Sequence, residues 1–264
     1  MFGPIEKNMA AINEFDIAFI IDTTGSMGPF IREARQHMQD TLNTLATVQG
    51  VDMHVGIVEY RDHPPQDHSF VTKIHQFSDN LKTTQKIINR LKAEGGGDYP
   101  EAVLDGIAAA CKLNWREHAR RLAVLIGDAP PHGYAGTSDI WASGCPCKST
   151  METVTAIAEE TCIRLFSIPL NTSLYLANAF KQLANLTGGG MFPARHGAMT
   201  EIHKIVEEEF GKLPFDTQVF KAWHETTGEL SANQLAEKFD VSLDNIYASL
   251  GRLGSRNLLD IPLV

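Results

Sequence analysis

The stretch DIAFIIDTTGSMG, residues 16–28, most strongly constrains how this chain can fold. It opens with an apolar run that is too short for a helix and rich in β-branched residues, so it predicts a strand buried on both faces. Asp22, Thr24 and Ser26 follow the strand at alternate positions, so in an extended segment their oxygens project to one side, as a hard cation requires. Apolar residues then recur at helical spacing over 31–45, which places these oxygens in a strand-to-helix turn.

Predicted strands and helices alternate along the next 180 or so residues, on the spacing of their apolar positions. Strands are predicted at 51–60, 70–77, 122–126 and 163–170, with a short edge strand at 191–193, and helices at 80–91, 101–113, 151–160, 174–186 and 202–210. This alternation is typical of a doubly wound α/β fold with a mostly parallel, Rossmann-like sheet. In the strand order 3-2-1-4-5-6, strands 1 and 4 are neighbours at the topological switch point. Asp22 and Asp128, which end these two strands, should therefore meet in one crevice.

Three separated motifs resemble the metal loops of von Willebrand factor A domains. DTTGS at 22–26 resembles the DxTxS/DxSxS motif, while GGGDYPE at 95–101 and GDAPPHG at 127–133 occupy the second and third loop positions. The resemblance extends over roughly residues 15–211. It implies a metal ion-dependent adhesion site that binds a divalent cation and faces a protein partner. The residues that the resemblance assigns to the metal are Asp22, Thr24, Ser26, Asp98 and Asp128.

Asp98 marks a departure from the adhesive members of this family, which usually carry a threonine in the second loop. Two aspartates and a divalent ion give a formally neutral site, and a third carboxylate adds one excess negative charge. Ligation by oxygen alone favours Mg²⁺, with Ca²⁺ or Mn²⁺ as alternatives, and argues against zinc. We therefore expect a metal-organised recognition surface whose ion is partly structural. The simpler alternative, without a metal, is that Asp22 and Ser26 cap the helix that follows them and Asp128 forms a turn. Asp98 would then cap the helix near residues 100–101.

Phosphoryl transfer is the alternative class for an aspartate that ends a strand of such a sheet. Phosphatases of the haloacid dehalogenase type carry a nucleophilic aspartate and a second aspartate two residues later that protonates the leaving group. Thr24 occupies that second position here. The chain also has no GxxxxGK phosphate loop and no GxSxG elbow. We predict a binding protein with no catalytic residues and no organic cofactor, although residues that meet only in space escape this argument.

The four cysteines leave two interpretations open. Cys145 and Cys147 form a C-x-C pair that can give two thiolates to zinc, with His132 or Cys162 completing the set. The spacing is tighter than the common C-x₂-C. In a reducing compartment, cysteines are more often unpaired, and Cys111 and Cys162 are predicted as core residues.

Residues 213–264 form a second predicted unit. Its pattern resembles a winged helix-turn-helix domain. It contains a helical face over 215–223, a helix over 232–239, a third helix capped by Ser242 and a small strand at 257–261. Such domains usually read DNA with the third helix, so a DNA-binding regulator with a ligand-sensing A domain is the alternative function. From residue 214 onward, however, the unit has four basic and seven acidic residues. This balance disfavours phosphate contacts and favours packing on the first domain or protein binding.

Composition limits the classes of partner. The formal net charge of −9 argues against a nucleic-acid or anionic-membrane binder, and no apolar run is long enough to span a bilayer. The first fifteen residues lack the apolar core of a secretory signal, which predicts a cytoplasmic protein. The sequence thus predicts an A domain at 1–212 and a winged-helix module at 213–264, acting together as a divalent-cation-dependent scaffold for a protein partner at the metal face.

Overall fold

The computed structural model of the chain describes residues 9–47, 50–134, 139–226 and 230–259. Its centre is a five-stranded sheet of order β3-β2-β1-β4-β5, in which only β3 runs antiparallel to its neighbour. The strands are β1 (Glu14–Asp22), β2 (Asp52–Tyr60), β3 (Thr72–Ser78), β4 (Arg120–Gly127) and β5 (Ile163–Pro169). The predicted doubly wound, mostly parallel α/β fold is confirmed. The edge strand predicted at 191–193 is reduced to a single bridge between Ser167 and Met191.

Helices cover both faces of this sheet. They are α1 (Gly28–Ala46), α2 (Leu81–Arg90), α3 (Val103–Ala110), α4 (Met151–Glu160), α5 (Leu174–Leu186), α6 (Ala198–Phe210), α7 (Leu213–Glu225), α8 (Ala232–Phe239) and α9 (Leu243–Gly254). The side chains of β1 point alternately to the two faces of the sheet. On one face, Ile17, Phe19 and Ile21 belong to the apolar core that contains α1 and α6. On the other face, Ala18 and Ile20 belong to the apolar core that contains α3, α4 and α5. Strand β1 is therefore buried on both faces, as its apolar run predicts.

The C-terminal helices α7, α8 and α9 share one apolar core with the first domain. Phe220, Leu235 and Ile246, one from each helix, are fully buried in the same cluster as Phe15 of β1. The buried guanidinium of Arg256 donates from Nη2 to the carbonyls of residues 11 and 12 at 2.7 and 2.9 Å, and from Nε to that of residue 118 at 2.7 Å. These contacts lie at the amino ends of β1 and β4, the end of the sheet opposite to Asp22 and Asp128.

Glu209 is the centre of a buried ion-pair network at the same end of the sheet. The side chain is 2% exposed and contacts Arg120 at 2.8 Å and Arg164 at 2.9 Å, and it also pairs with Lys212. Burial alone raises the pKa of Glu209, but the charges of Arg120 and Arg164 outweigh burial and hold the pKa below its usual value. Arg120 also pairs with Asp216 of α7 at 3.6 Å, so the network crosses the predicted boundary at residue 212.

The winged-helix interpretation stays a prediction. The three predicted helices of the C-terminal unit are present, and Asp240 joins α8 to α9 in a left-handed conformation. Residues 257–259, however, form a turn rather than a strand, and residues 260 and 261 of the predicted wing lie outside the described residues.

Candidate metal centre

The first loop folds back on Asp22. Its Oδ1 accepts hydrogen bonds from the backbone N and the Oγ1 of Thr24, at 2.8 and 2.7 Å. Thr24 Oγ1 also lies 3.4 Å from Ser26 Oγ, so the side-chain oxygens of Asp22, Thr24 and Ser26 form a chain of short contacts. A short 3-10 turn, Gly25–Met27, then leads directly into α1. Asp22 is completely buried and Thr24 nearly so, whereas Ser26 is exposed to solvent.

The third loop brings Asp128 to the same place. Strands β1 and β4 are parallel neighbours with Ile21 opposite Ile126, so the loops that follow them start side by side. Ser26 Oγ donates a hydrogen bond to Asp128 Oδ1 at 3.0 Å. Four of the five residues assigned to the metal from the sequence, Asp22, Thr24, Ser26 and Asp128, are therefore in one hydrogen-bonded cluster.

Glu101, three residues after Asp98, is the second-loop carboxyl group that lies beside this cluster. It is 3% exposed and interacts with the side chain of Thr24 and with the charges of Asp22 and Asp128. A Cβ at Gly96 would lie 2.8 Å from Glu101 Oε1, so the glycine makes room for the carboxyl group. Asp98 makes its hydrogen bond outside this cluster: its Oδ2 accepts from the backbone N of residue 140 at 3.2 Å, and its Oδ1 is buried with no hydrogen-bond partner among the described residues.

Backbone hydrogen bonds hold the first two loops together. Gly25 N donates to Gly95 O at 3.0 Å, and Glu94 N donates to Thr23 O at 3.1 Å. Arg61, at the end of β2, donates to Thr23 Oγ1 at 3.3 Å and to the carbonyl of residue 92 at 3.0 Å. The two loops therefore form one preorganised unit.

The carboxyl groups of this cluster resist joint ionisation. Burial raises the pKa of Asp22 to about 7; the hydrogen bonds from Thr24 oppose this rise, and the charge of Asp128 adds to it. Burial also raises the pKa of Glu101 to about 11, and the charges of Asp22 and Asp62 reinforce the effect. A divalent cation bound among these groups would remove both the repulsion and part of the desolvation penalty.

The donor set fits a hard cation. Five buried carboxylate oxygens have no hydrogen-bond partner within the described part of the chain, and two of them, Asp22 Oδ2 and Glu101 Oε2, belong to this cluster. The neighbouring hydroxyl and carboxyl groups supply only oxygen, the donor that Mg²⁺, Ca²⁺ and Mn²⁺ prefer. On its outer side the cluster opens into a cleft of ≈ 290 Å³ whose lining includes Ser26, Asp128 and Asn171. The outer side of the cluster is thus open to this cleft.

The residues weighed for zinc are arranged differently from the sequence-based alternatives. His132 is buried and uses both ring nitrogens, Nε2 on Asp62 at 2.8 Å and Nδ1 on Asp139 at 3.1 Å. Cys162, predicted as a core residue, is exposed, which corrects that prediction. The residues beside Cys145 and Cys147 are His63 and Asp105.

Within the described ranges, no helix has the length and apolar character needed to cross a membrane.

Comparison with known proteins gives the family. A model of the von Willebrand factor A domain matches residues 16–196. The alpha-protein kinase vwkA of Dictyostelium discoideum is 30% identical over 143 residues, which are 53% of this chain and 23% of that protein. This chain therefore spans less than a quarter of the length of that relative.

Solved structures show the same fold at low identity. A von Willebrand factor type A protein from Catenulispora acidiphila superposes with a TM-score of 0.54 at 15% identity, covering 76% of this chain and 43% of the other. The pilus adhesin SpaC from Lactobacillus rhamnosus GG superposes with a TM-score of 0.53 at 12% identity, covering 76% and 30%. The family model covers more than half of the chain, and its matched region contains the first, second and third loops, so this protein belongs to the von Willebrand factor A domain family.

Proposed function

We propose that this protein is a non-catalytic interaction module in which a divalent cation organises a surface for a protein partner. Domains of this family typically mediate protein–protein interactions. The observation that carries the cation dependence is that two of the five buried carboxylate oxygens without a partner among the described residues, Asp22 Oδ2 and Glu101 Oε2, lie in this cluster. Oxygens of Thr24, Ser26 and Asp128 lie beside them. Mg²⁺ is the preferred ion, with Ca²⁺ or Mn²⁺ as alternatives.

The residues that would hold the ion come from all three loops. Thr24 and Ser26 offer hydroxyl oxygens, Asp22 and Asp128 bind directly or through water, and Glu101 supplies the second-loop carboxylate. The bound ion supplies positive charge that neutralises these acids. With Glu101 ionised, the site keeps one excess negative charge, so a carboxylate of a partner gains less from the ion than it would at a neutral site. We therefore infer that the ion acts mainly by fixing the loops, and that the partner binds the loop surface around it.

Adding Mg²⁺, Mn²⁺ or Ca²⁺ to chelator-stripped protein should raise its thermal stability. An ion that binds only the folded loops stabilises by mass action, by about 2.7 kcal/mol at a hundred times its Kd. Asp22→Ala should abolish the gain, whereas Asp79→Ala, at an exposed position before α2, should keep it. Calorimetric titration measures the cation affinity, and thermal melts measure the gain in stability. If the wild-type protein shows no saturable binding, the proposal is wrong.

Substitutions in the second loop should separate Glu101 from Asp98. Glu101→Gln should weaken cation affinity by more than about tenfold, because it removes a charged donor. Asp98→Thr should leave the affinity nearly unchanged, since the carboxylate of Asp98 bonds to the backbone of residue 140. Titration of both variants against one cation decides the assignment. A loss of affinity in Asp98→Thr alone would return the second-loop role to Asp98.

Partner binding offers an independent test of the interaction role. Proteins that copurify with the tagged chain in Mg²⁺ should be released by EDTA, and Asp22→Ala should fail to retain them. Retention that is insensitive to both the chelator and the substitution would leave protein binding intact but contradict its cation dependence.

A further inference from the structure

A second group of metal-ligating side chains lies outside the oxygen cluster. His63 comes from the loop after β2, Asp105 from α3, and Cys145 and Cys147 from the loop between β4 and α4. One ligand atom from each of these four residues lies within 4.8 Å of all the others. Three segments that are distant in sequence thus converge on one point.

The spacing of these atoms approaches that of a tetrahedral site. Asp105 Oδ2 lies 3.1 Å from His63 Nε2 and 2.9 Å from Cys145 Sγ, and the sulfur lies 3.4 Å from the same nitrogen. In a tetrahedral zinc site with bonds of about 2.0–2.3 Å, neighbouring ligand atoms are about 3.3–3.8 Å apart. An ion would need to spread these three donors by less than about 1 Å, and Cys147 Sγ lies within 4.8 Å of each of them.

A catalytic thiol is a poor explanation of the cluster. Cys145 Sγ donates a hydrogen bond to Asp105 Oδ2 at 2.9 Å, so a carboxylate lies directly beside the sulfur. A nucleophilic cysteine needs the opposite, a pKa lowered by positive charge. Cys147 Sγ also lies within 4.8 Å of the same carboxylate, which nucleophilic catalysis does not explain, whereas a metal ion uses both sulfurs.

Hydrogen bonds between Asp139 and His132 and from the backbone N of residue 140 to Asp98 Oδ2 anchor the start of the loop that carries the two cysteines. Over its described residues after position 138 it contains no helix or strand before α4, and its local bonds include the turn from Lys148 N to Cys145 O at 2.9 Å. Cys145 is buried, whereas Cys147 is exposed. A closed set of four protein ligands would tie this loop to α3 and to the loop after β2, which is what a structural metal does.

We propose that His63, Asp105, Cys145 and Cys147 bind one structural zinc ion, distinct from the oxygen-ligated cation. Two sulfurs and an imidazole nitrogen select zinc over Mg²⁺ or Ca²⁺. Ser149 Oγ, 3.5 Å from Asp105 Oδ1, is placed to orient the carboxylate so that Oδ2 faces the ion. The zinc also adjoins the first site, because His63 follows Asp62, whose charge acts on Asp22 and Glu101.

Metal content of the full chain, purified with reductant and zinc and then dialysed, tests the proposal. We expect one zinc ion per wild-type chain, and X-ray absorption at the zinc edge should show two sulfur ligands at about 2.3 Å and two nitrogen or oxygen ligands at about 2.0–2.2 Å. Cys147→Ser changes an exposed side chain and should weaken zinc affinity more than about tenfold without unfolding the protein. Asp105→Asn should also weaken it.

Two controls keep the zinc site separable from the proposed cation site. Cys162→Ser changes another exposed cysteine and should retain the zinc, and so should Asp22→Ala, which removes the cation but not the zinc ligands. The inference is overturned if the wild-type chain takes up no zinc, or if Cys147→Ser and Asp105→Asn both retain it in full. Loss of zinc from Asp22→Ala would overturn the claim that the two sites are distinct.

Discussion

Replacing Glu209 with glutamine should lower the free energy of unfolding by about 3–5 kcal/mol, the usual cost of leaving a buried charge without its partner. Arg120, which is 4% exposed, pairs with Glu209 at 2.8 Å, and Arg164 contacts both carboxylate oxygens. Glutamine fits the space but cannot balance these cations. Chemical denaturation of the wild-type and variant proteins at neutral pH measures the difference.

The matched control lies on the same helix. Glu207 of α6 is 71% exposed and pairs with His203 at 3.7 Å, so Glu207→Gln should change stability by less than about 0.5 kcal/mol. The effect at Glu209 should also depend on pH. Because the folded-state pKa of Glu209 lies below its usual value of 4.5, its stabilisation is complete above pH 4.5 and is lost as the pH falls through the folded-state pKa. This explanation would be contradicted if the difference in unfolding free energy between wild type and Glu209→Gln stayed unchanged as the pH falls below 4.5.

Arg256→Met should cost about 3 kcal/mol or more. The guanidinium donates three hydrogen bonds, at 2.7, 2.7 and 2.9 Å, to the carbonyls of residues 118, 11 and 12. Each buried carbonyl left without a donor costs about 1–3 kcal/mol, and methionine preserves only the length of the side chain. Burial lowers the pKa of Arg256 to about 10, so the group remains charged at neutral pH.

The same variant tests the predicted division at residue 212. Arg195→Met, at an exposed position, should have little effect and serves as the control. If residues 213–264 form an independent domain, Arg256→Met should split the unfolding curve or leave the transition of the first domain in place. We expect one cooperative transition at lower denaturant, because the C-terminal helices share an apolar core and an ion-pair network with the sheet.

The parts of the fold that could be predicted are those written locally in the sequence. The continuous apolar run of β1 predicts a strand buried on both faces, and the polar residues after it predict the strand-to-helix turn that the structure contains. The neighbouring positions of β1 and β4 follow from the topology of doubly wound sheets, so the sequence alone was enough to predict that Asp22 and Asp128 lie together.

The choice between Asp98 and Glu101 could not be made from sequence. Both acids follow the same glycines, and the direction of each side chain depends on the path of the backbone through Gly95 and Gly96, whose φ values are 79° and 80°. Composition does not encode that path. Glu101 is the second residue of the PE dipeptide at 100–101, and its burial beside Thr24 is what distinguishes it from Asp98.

The neighbours of the C-x-C pair were missed for a different reason. His63 and Asp105 are 82 and 40 residues from Cys145, so no local spacing connects them. His132, an alternative offered by the sequence, is held by two carboxylates, which a sequence pattern cannot reveal. Only the three-dimensional fold shows that the loop after β2, helix α3 and the loop with the C-x-C pair meet at the carboxyl edge of the sheet.

Strand β1 also fixes the distance between the C-terminal helices and the loop that follows Asp22. It begins beside the C-terminal helices and ends at Asp22, and its nine residues span about 30 Å at about 3.3 Å per residue. The cleft beside Ser26 and Asp128 and the C-terminal contacts of Arg256 therefore lie at opposite ends of the sheet. If the cleft binds a partner as proposed, a label attached near α8 leaves that face free for binding measurements.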